Sequence, residues 1–163
     1  MIEQLSLEQL SLTIAEEIRV YAPLDTSFAT LLEEMGPHNE TPYGDKLPMT
    51  IEPWPGGRWF RDLGDDNGHF WGVVQAIKRP TLLEICGPLF FSAPVVSNLQ
   101  YRLAPVDGGT LITFRHTALG FVPDDFRRNV GAGWGVLHAR VKRLAEQKSN
   151  RNSGRQERPY GDR

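Results

Sequence analysis

The four histidines of this sequence, His38, His69, His116 and His138, are its natural proton carriers near neutral pH. None of them lies in an HxxxH or HExxH frame, and no CxxC pair is present, so their spacing does not predict a metal site. His116 shares a predicted strand face with Ile112 and Phe114, and His138 follows Trp134 by one helical turn. Each could anchor a ligand in an apolar cavity, act in an acid–base pair, or simply form a structural hydrogen bond near the rim.

Large aromatic side chains are more numerous than a small core of sheet and helix needs, which predicts that some of them line a cavity. Their indole N–H and phenol O–H groups could orient a bound molecule. Two adjacent phenylalanines in the loop of residues 87–94 could form a gate to it. The residues that we predict to bind a ligand are Trp59, Trp71, Phe90, Phe91, Tyr101, Phe114, His116, Trp134 and His138.

Catalytic patterns are absent from the sequence. The paired carboxylates fall in a predicted turn (Asp65 and Asp66) and at a predicted helix start (Asp124 and Asp125), where acidic residues favour the helix dipole. There is no nucleophile elbow and no phosphate-binding glycine loop, so no catalytic residue and no cofactor is predicted. An enzyme would need distant polar residues to converge, namely His116 with Arg58, Arg115 or Glu84. Alternation along the strand argues against this for adjacent Arg115 and His116.

The elements that position these residues follow from periodicity. Alternation predicts a strand over residues 13–20, and turn signals between residues 49 and 118 predict an antiparallel meander. The strand over residues 69–77 could turn either His69, Trp71 and Val73 or Phe70, Gly72 and Val74 inward. Residues 27–34 predict a short helix, and residues 36–48 a loop or a broken second helix. A long amphipathic helix begins near Pro123, with the apolar stripe Phe126, Val130, Trp134, Leu137, Val141 and Leu144.

Small residues also occur within this helix, at Gly131 and Gly133. Glycine costs a helix roughly 1 kcal/mol, so we expect these positions to let the helix approach or bend around the sheet.

Composition bounds the classes of function. With 163 residues, 40% hydrophobic and 23% charged, the chain predicts one domain over residues 1–147 and a polar, basic, disordered tail over residues 148–163. A net charge of −2 gives no general attraction to nucleic acid. The single Cys86 excludes an intramolecular disulfide. No apolar run approaches the roughly 20 residues of a membrane span, and the N-terminus does not resemble a signal peptide, so we expect a cytoplasmic protein without membrane insertion.

Several short motifs, in this order, resemble the START-like, or SRPBCC, helix-grip superfamily, in the branch of heat-shock chaperone ATPase-activator homologues. They are Val20-x-Ala22-Pro23 followed by Phe28, Pro55-Gly56-Gly57, Gly72 with Val74, Pro80-x-x-Leu83, Gly109-Thr110-x-Ile112-x-Phe114-x-His116, and Gly133-Trp134-x-x-Leu137. The proline-rich residues 36–48 depart from relatives that continue with a second short helix.

The resemblance implies an α+β fold, in which a curved antiparallel sheet of six or seven strands wraps around a long C-terminal helix, with short helices after strand one. The function that we expect first is the binding of a small, largely hydrophobic ligand between sheet and helix. One alternative is a protein-interaction module with a filled core, whose partner would be a chaperone or another protein. The other is a cyclase- or hydrolase-like enzyme that uses the same cavity. Either a monomer or a homodimer is compatible with the sequence.

Overall fold

Alternating apolar residues form seven strands in the computed structural model, which describes residues 4–156. All neighbouring strands pair antiparallel in the order β1-β7-β6-β5-β4-β3-β2. The strands are β1 (Ser11–Val20), β2 (Thr50–Ile51), β3 (Arg58–Gly64), β4 (Asn67–Lys78), β5 (Leu82–Gly87), β6 (Val95–Val106) and β7 (Gly109–Gly120). The predicted curved antiparallel sheet is confirmed, with the larger of the two predicted strand numbers.

Three helices accompany the sheet within the described residues: α1 (Leu7–Leu10), α2 (Leu24–Met35) and α3 (Asp124–Gln156). The buried stripe of α3 packs on α2 and the sheet, as its periodicity predicts. Between β1 and β2 the described chain holds one helix, α2, and residues 36–48 form a loop in which Glu40 and Lys46 make an isolated bridge. No helix within residues 4–156 is long and apolar enough to cross a membrane.

The last helix is longer than the sequence pattern predicts. It continues to Gln156, so residues 148–156 are helical, in contrast to the disordered tail expected there. Lys148 explains part of this extension, because its ammonium group contacts Glu33 at 2.5 Å and the Thr30 hydroxyl at 3.2 Å, both on α2. The remainder of the predicted tail lies outside the described residues.

A β-bulge in β4 decides which residues of that strand face inward. Trp59 pairs with Gly72 and Phe60 with Phe70, so Trp71 is an additional residue on its strand. As a result Trp71 and Val74 are both buried, whereas Phe70 and Val73 are exposed. The inward face predicted from His69 and Trp71 is therefore correct before the bulge, and the one predicted from Gly72 and Val74 is correct after it.

The core lies between the inner face of the sheet and the two longer helices. Its largest fully buried aromatic side chains are those of Trp59, Tyr101 and Phe114. A second, smaller cluster is formed by Phe91, Val95, Ala118 and Val122.

Candidate functional site

A cavity of about 390 Å³ lies between α3, the loop of residues 36–48 and the sheet. This volume falls within the range of small-molecule sites, roughly 300–1,000 Å³. The cavity is lined by Asn39, Glu40, Thr41, Pro42, Tyr43, Leu47, Trp59, Trp71, Phe90, Asp125, Phe126, Asn129, Val130, Gly133, Trp134 and Leu137.

Aromatic rings form a continuous wall of this cavity. The ring centroids of Trp59 and Trp71 are 4.9 Å apart at an interplanar angle of 80°, and those of Trp71 and Phe90 are 5.6 Å apart at 78°. Phe90 also contacts Trp134 at 5.9 Å and Phe126 at 5.6 Å. The Trp59–Trp71 and Trp71–Phe90 pairs are thus edge-to-face, whereas Phe90 stacks on Phe126 at 25°; both are arrangements that aromatic pairs prefer.

The indole N–H groups of this wall are already used by the protein. Trp59 donates to the Met35 carbonyl at 2.8 Å, and Trp71 donates to His69 Nδ1 at 3.1 Å. Trp134 donates to His116 Nδ1 at 3.1 Å. The indoles therefore offer ring carbon surface to the cavity, and the expectation that their N–H groups orient a ligand is wrong for these three.

Polar groups of the cavity lie at its mouth. One side is the loop segment of residues 39–43, and the other is the first turns of α3, which contribute Asp125 and Asn129. The side chains of Asp125, Asn129 and Tyr43 are exposed there. An occupant would consequently have an apolar part inside and any polar part outward.

Gly133 provides space between α3 and the mouth loop. A Cβ atom at this position would lie 3.4 Å from Cγ of Pro42, at the limit of ordinary contact. A Cβ atom at Gly131 would meet Ile14 Cδ1 at 3.9 Å, which is ordinary packing. Neither glycine is required for a close approach to the sheet, contrary to our expectation, and Gly133 instead leaves room beside the cavity.

His116 lies beneath Trp134 in a fully buried hydrogen-bonded chain. Because the Trp134 N–H donates to its Nδ1, a neutral His116 carries its proton on Nε2 and donates to the Ser97 hydroxyl at 3.0 Å. Burial lowers the pKa of His116 from 6.5 to about 4. The imidazole is therefore neutral at pH 7 and serves as an acceptor for Trp134.

A second chain joins Glu16, His138 and Tyr101. His138 Nδ1 lies 2.7 Å from Glu16 Oε2, and its Nε2 lies 3.0 Å from the Tyr101 hydroxyl. Burial lowers the pKa of His138, whereas the bond to Glu16 acts in the opposite direction. Burial, and then the charge of Glu16, raise the pKa of Tyr101 well above its ordinary value, so it remains a neutral phenol.

Sequence reasoning missed Glu16, although a signal was available. Glu16 has the same strand parity as Ile14 and Ile18, which marks it as facing the helix.

The structure divides the nine predicted ligand residues into two groups. Four line the cavity: Trp59, Trp71, Phe90 and Trp134. Five are packed elsewhere: Phe91, Tyr101, Phe114, His116 and His138. Phe91 is only 2% exposed, so the two phenylalanines are not the exposed pair expected of a gate, although half-buried Phe90 borders the cavity. A role in ligand binding stays a prediction, and the position of the side chains supports it for the first group.

The polar residues that an enzyme would require are not brought together. Arg58 pairs with Glu52 at 2.7 Å, and Glu84 accepts from Gln100 at 2.5 Å on the strands. Arg115 is exposed while His116 is buried, as strand alternation predicts. His116 and His138 flank Trp134 and bond to separate partners. Within the described residues, no group of three His, Cys, Asp or Glu side chains could hold a metal ion.

A buried ion pair connects α2, α3 and the mouth loop. Arg140 Nε lies 2.5 Å from Glu34 Oε2, and both side chains are more than 90% buried. Arg140 Nη1 also lies 3.6 Å from Glu40 Oε2. The pair was not predicted, because Glu34 and Arg140 stand on separate helices far apart in the sequence. It positions Glu40 at the cavity mouth.

No family model and no curated protein matches this chain. Solved structures do match. A protein MLL2253 from Mesorhizobium loti shares 18% identity, with a TM-score of 0.61, over 83% of this chain and 98% of that one. The crystal structure of Ara h 8.0201 shares 16% identity, with a TM-score of 0.60, over 83% of this chain and 97% of that one.

The di-domain ARO/CYC StfQ of the steffimycin biosynthetic pathway is similar at 14% identity and a TM-score of 0.62. The match covers 88% of this chain and 53% of StfQ, so this chain spans about half the length of that protein. At such identities the likenesses show the fold alone. The chain has the helix-grip fold, a curved antiparallel sheet with a long C-terminal helix, as the sequence motifs led us to expect.

Proposed function

We propose that this protein binds a small, largely apolar molecule in the cavity between the sheet and α3. The observation that carries the proposal is the aromatic wall of Trp59, Trp71, Phe90 and Trp134 around about 390 Å³ of space. Apolar surface removed from water is stabilised by roughly 25 cal/mol per Å², so a matching molecule gains from entering. A protein-interaction module was expected to have a filled core, and the cavity therefore favours ligand binding over that alternative.

Catalysis ranks behind binding in this proposal. The candidate residues His116, Arg58, Arg115 and Glu84 lie apart, and a reaction needs at least two polar groups at one place. The similarity to StfQ supports the fold but does not transfer its activity, since one fold hosts many functions.

The finer resemblance to heat-shock chaperone ATPase-activator homologues is also a proposal. Its support is the order of the sequence motifs, from Val20-x-Ala22-Pro23 to Gly133-Trp134-x-x-Leu137. It predicts a direct contact with a heat-shock chaperone, which binding to a purified ATPase of that class would test.

The ligand proposal is tested with a neutral apolar probe, N-phenyl-1-naphthylamine, whose fluorescence rises in apolar surroundings. The informative variant is Gly133→Leu, because its side chain begins 3.4 Å from Pro42 and enters the cavity. The matched control is Gly135→Leu on the same helix, where an added Cβ atom meets nothing within 4 Å. Both changes remove a helical glycine, so both raise helix propensity by similar amounts.

We expect the unchanged protein and Gly135→Leu to bind the probe with similar affinity, and Gly133→Leu to bind it at least about tenfold more weakly, since its side chain excludes much of the probe. Chemical denaturation of all three proteins establishes that each is folded. Equal probe affinity in Gly133→Leu and Gly135→Leu would contradict the proposed site.

A further inference from the structure

We propose that the molecule bound in this cavity is an organic cation, an ammonium group attached to an apolar body. The inference rests on the proposed function and specifies its ligand class. Two independent features of the cavity support it: the surface that its aromatic wall presents and the charge of its mouth.

The aromatic wall presents a surface that attracts cations. The three indoles donate their N–H groups to protein acceptors, which leaves ring carbon surface toward the cavity. The electron-rich face of tryptophan is the best cation–π partner among the side chains. Since Trp59, Trp71 and Phe90 meet at angles of 80° and 78°, a cation in the corner between two rings contacts both. Such aromatic cages are a known means of recognising ammonium groups.

The mouth carries an excess of negative charge. Glu40 and Asp125 are among the lining residues, whereas none of the described lining residues is lysine or arginine. Arg140, behind the mouth, is shared between Glu34 and Glu40 at 2.5 and 3.6 Å, so one guanidinium serves two carboxylates. Asp125 forms no ion pair with any residue that the structure describes.

The guanidinium of the nearby Arg127 does not line the cavity and is held at the start of β1 instead. It donates to the carbonyls of Ser11 at 2.7 Å and Gln9 at 2.9 Å. An anionic ligand would therefore meet carboxylates without a cation to pair with. A neutral ligand would gain from apolar contact alone, whereas a cation gains from both the rings and the mouth.

Three probes that share a 3-phenylpropyl group test the inference, ending in trimethylammonium, in the isosteric tert-butyl group, or in carboxylate. Each is titrated against protein loaded with N-phenyl-1-naphthylamine, so that displacement reports on the same cavity. We expect the cation to bind about tenfold more tightly than the neutral isostere, and the carboxylate most weakly. Raising the salt concentration should reduce the advantage of the cation.

The contribution of the mouth is tested with Asp125→Asn and its neighbour Asp124→Asn. Both residues are exposed in the first turn of α3, and Asp125 alone of the two lines the cavity. Asp125→Asn should weaken binding of the cation about two- to threefold and leave the neutral isostere unchanged. Asp124→Asn should change neither.

The outcomes separate this inference from the proposed function. If the neutral isostere or the carboxylate binds as tightly as the cation, the ligand class is wrong while the cavity remains a binding site. If Asp124→Asn weakens cation binding as much as Asp125→Asn, the mouth does not select the charge. If neither the three probes nor the naphthylamine binds, the proposed function itself fails.

Discussion

Two neighbouring regions between the sheet and α3 use the same kinds of side chain with different results. The cavity region contains Trp59, Trp71, Phe90 and Trp134 around an open space. The filled region contains Tyr101, Phe114, His116 and His138, which are buried and do not line the cavity. Both are rich in aromatic rings at centroid distances near 5 Å.

The difference lies in what covers each region. In the filled region, Glu16 of β1 binds His138, and His138 binds Tyr101, so strand and helix are joined by hydrogen bonds across the core. In the cavity region the cover is the loop of residues 36–48, which meets α3 beside Gly133, where no side chain fills the gap. An aromatic residue thus becomes cavity wall or core according to the element that packs above it.

The largest effect that we predict distinguishes the two regions by stability. Phe114 is fully buried and contacts the rings of Tyr101, Trp134 and His138, so Phe114→Ala should lower the free energy of unfolding by about 3 to 5 kcal/mol. Phe90 is half-buried beside open space, so Phe90→Ala should cost roughly 1 to 2 kcal/mol. Urea denaturation measures both.

Probe binding should show the opposite order. Phe90→Ala should weaken binding of the naphthylamine more than Phe114→Ala does. Binding is measured without urea, where both variants are folded. The contrast between the regions would be refuted if Phe90→Ala were as destabilising as Phe114→Ala and left binding intact.

A smaller effect concerns the pH dependence of the filled region. His116 has a pKa of about 4 when folded, against about 6.5 in an unfolded chain. Below pH 6.5 the unfolded chain takes up a proton at His116 that the folded protein does not. The free energy of unfolding is therefore unaffected by this histidine above pH 6.5 and decreases as the pH falls toward 4. His116 should account for a loss of about 2 to 3 kcal/mol between pH 7 and pH 4.5. The lowered pKa of His138 acts in the same direction.

This effect is tested by comparing how steeply the free energy of unfolding changes with pH in the unchanged protein and in a His116 variant. His116→Gln should be less stable at pH 7, and its unfolding free energy should decline less steeply with falling pH than that of the unchanged protein. An unchanged slope in His116→Gln would show that this imidazole does not remain neutral when folded.

Local patterns were enough to predict much of the fold. The stripe of α3, the meander of strands and the turn at Pro55-Gly56-Gly57 each follow from residues close in sequence, and all are present. The bulge at Trp71 could not be predicted in this way, because it depends on the register between β3 and β4.

The candidate site was less predictable for a related reason. Strand alternation predicted that Phe114 and His116 share a face, and that face is the buried one. Alternation does not reveal which buried residues lie next to open space. That depends on the course of the loop of residues 36–48 and on the pairing of Glu34 with Arg140, which joins distant segments. The use of the indole N–H groups by Met35, His69 and His116 is likewise a tertiary feature.

The most direct test of the proposed cavity is the response of the tryptophan side chains to a ligand. The chain has four tryptophans, and Trp59, Trp71 and Trp134 line the cavity while Trp54 lies outside it and is 55% exposed. Their indole N–H signals are resolved by two-dimensional ¹⁵N NMR and assigned with single Trp→Phe variants. On titration with the neutral naphthylamine, we predict that the signals of Trp59, Trp71 and Trp134 shift in a saturable manner while that of Trp54 does not. Shifts confined to Trp54, or none at saturating probe, would contradict the cavity as the binding site.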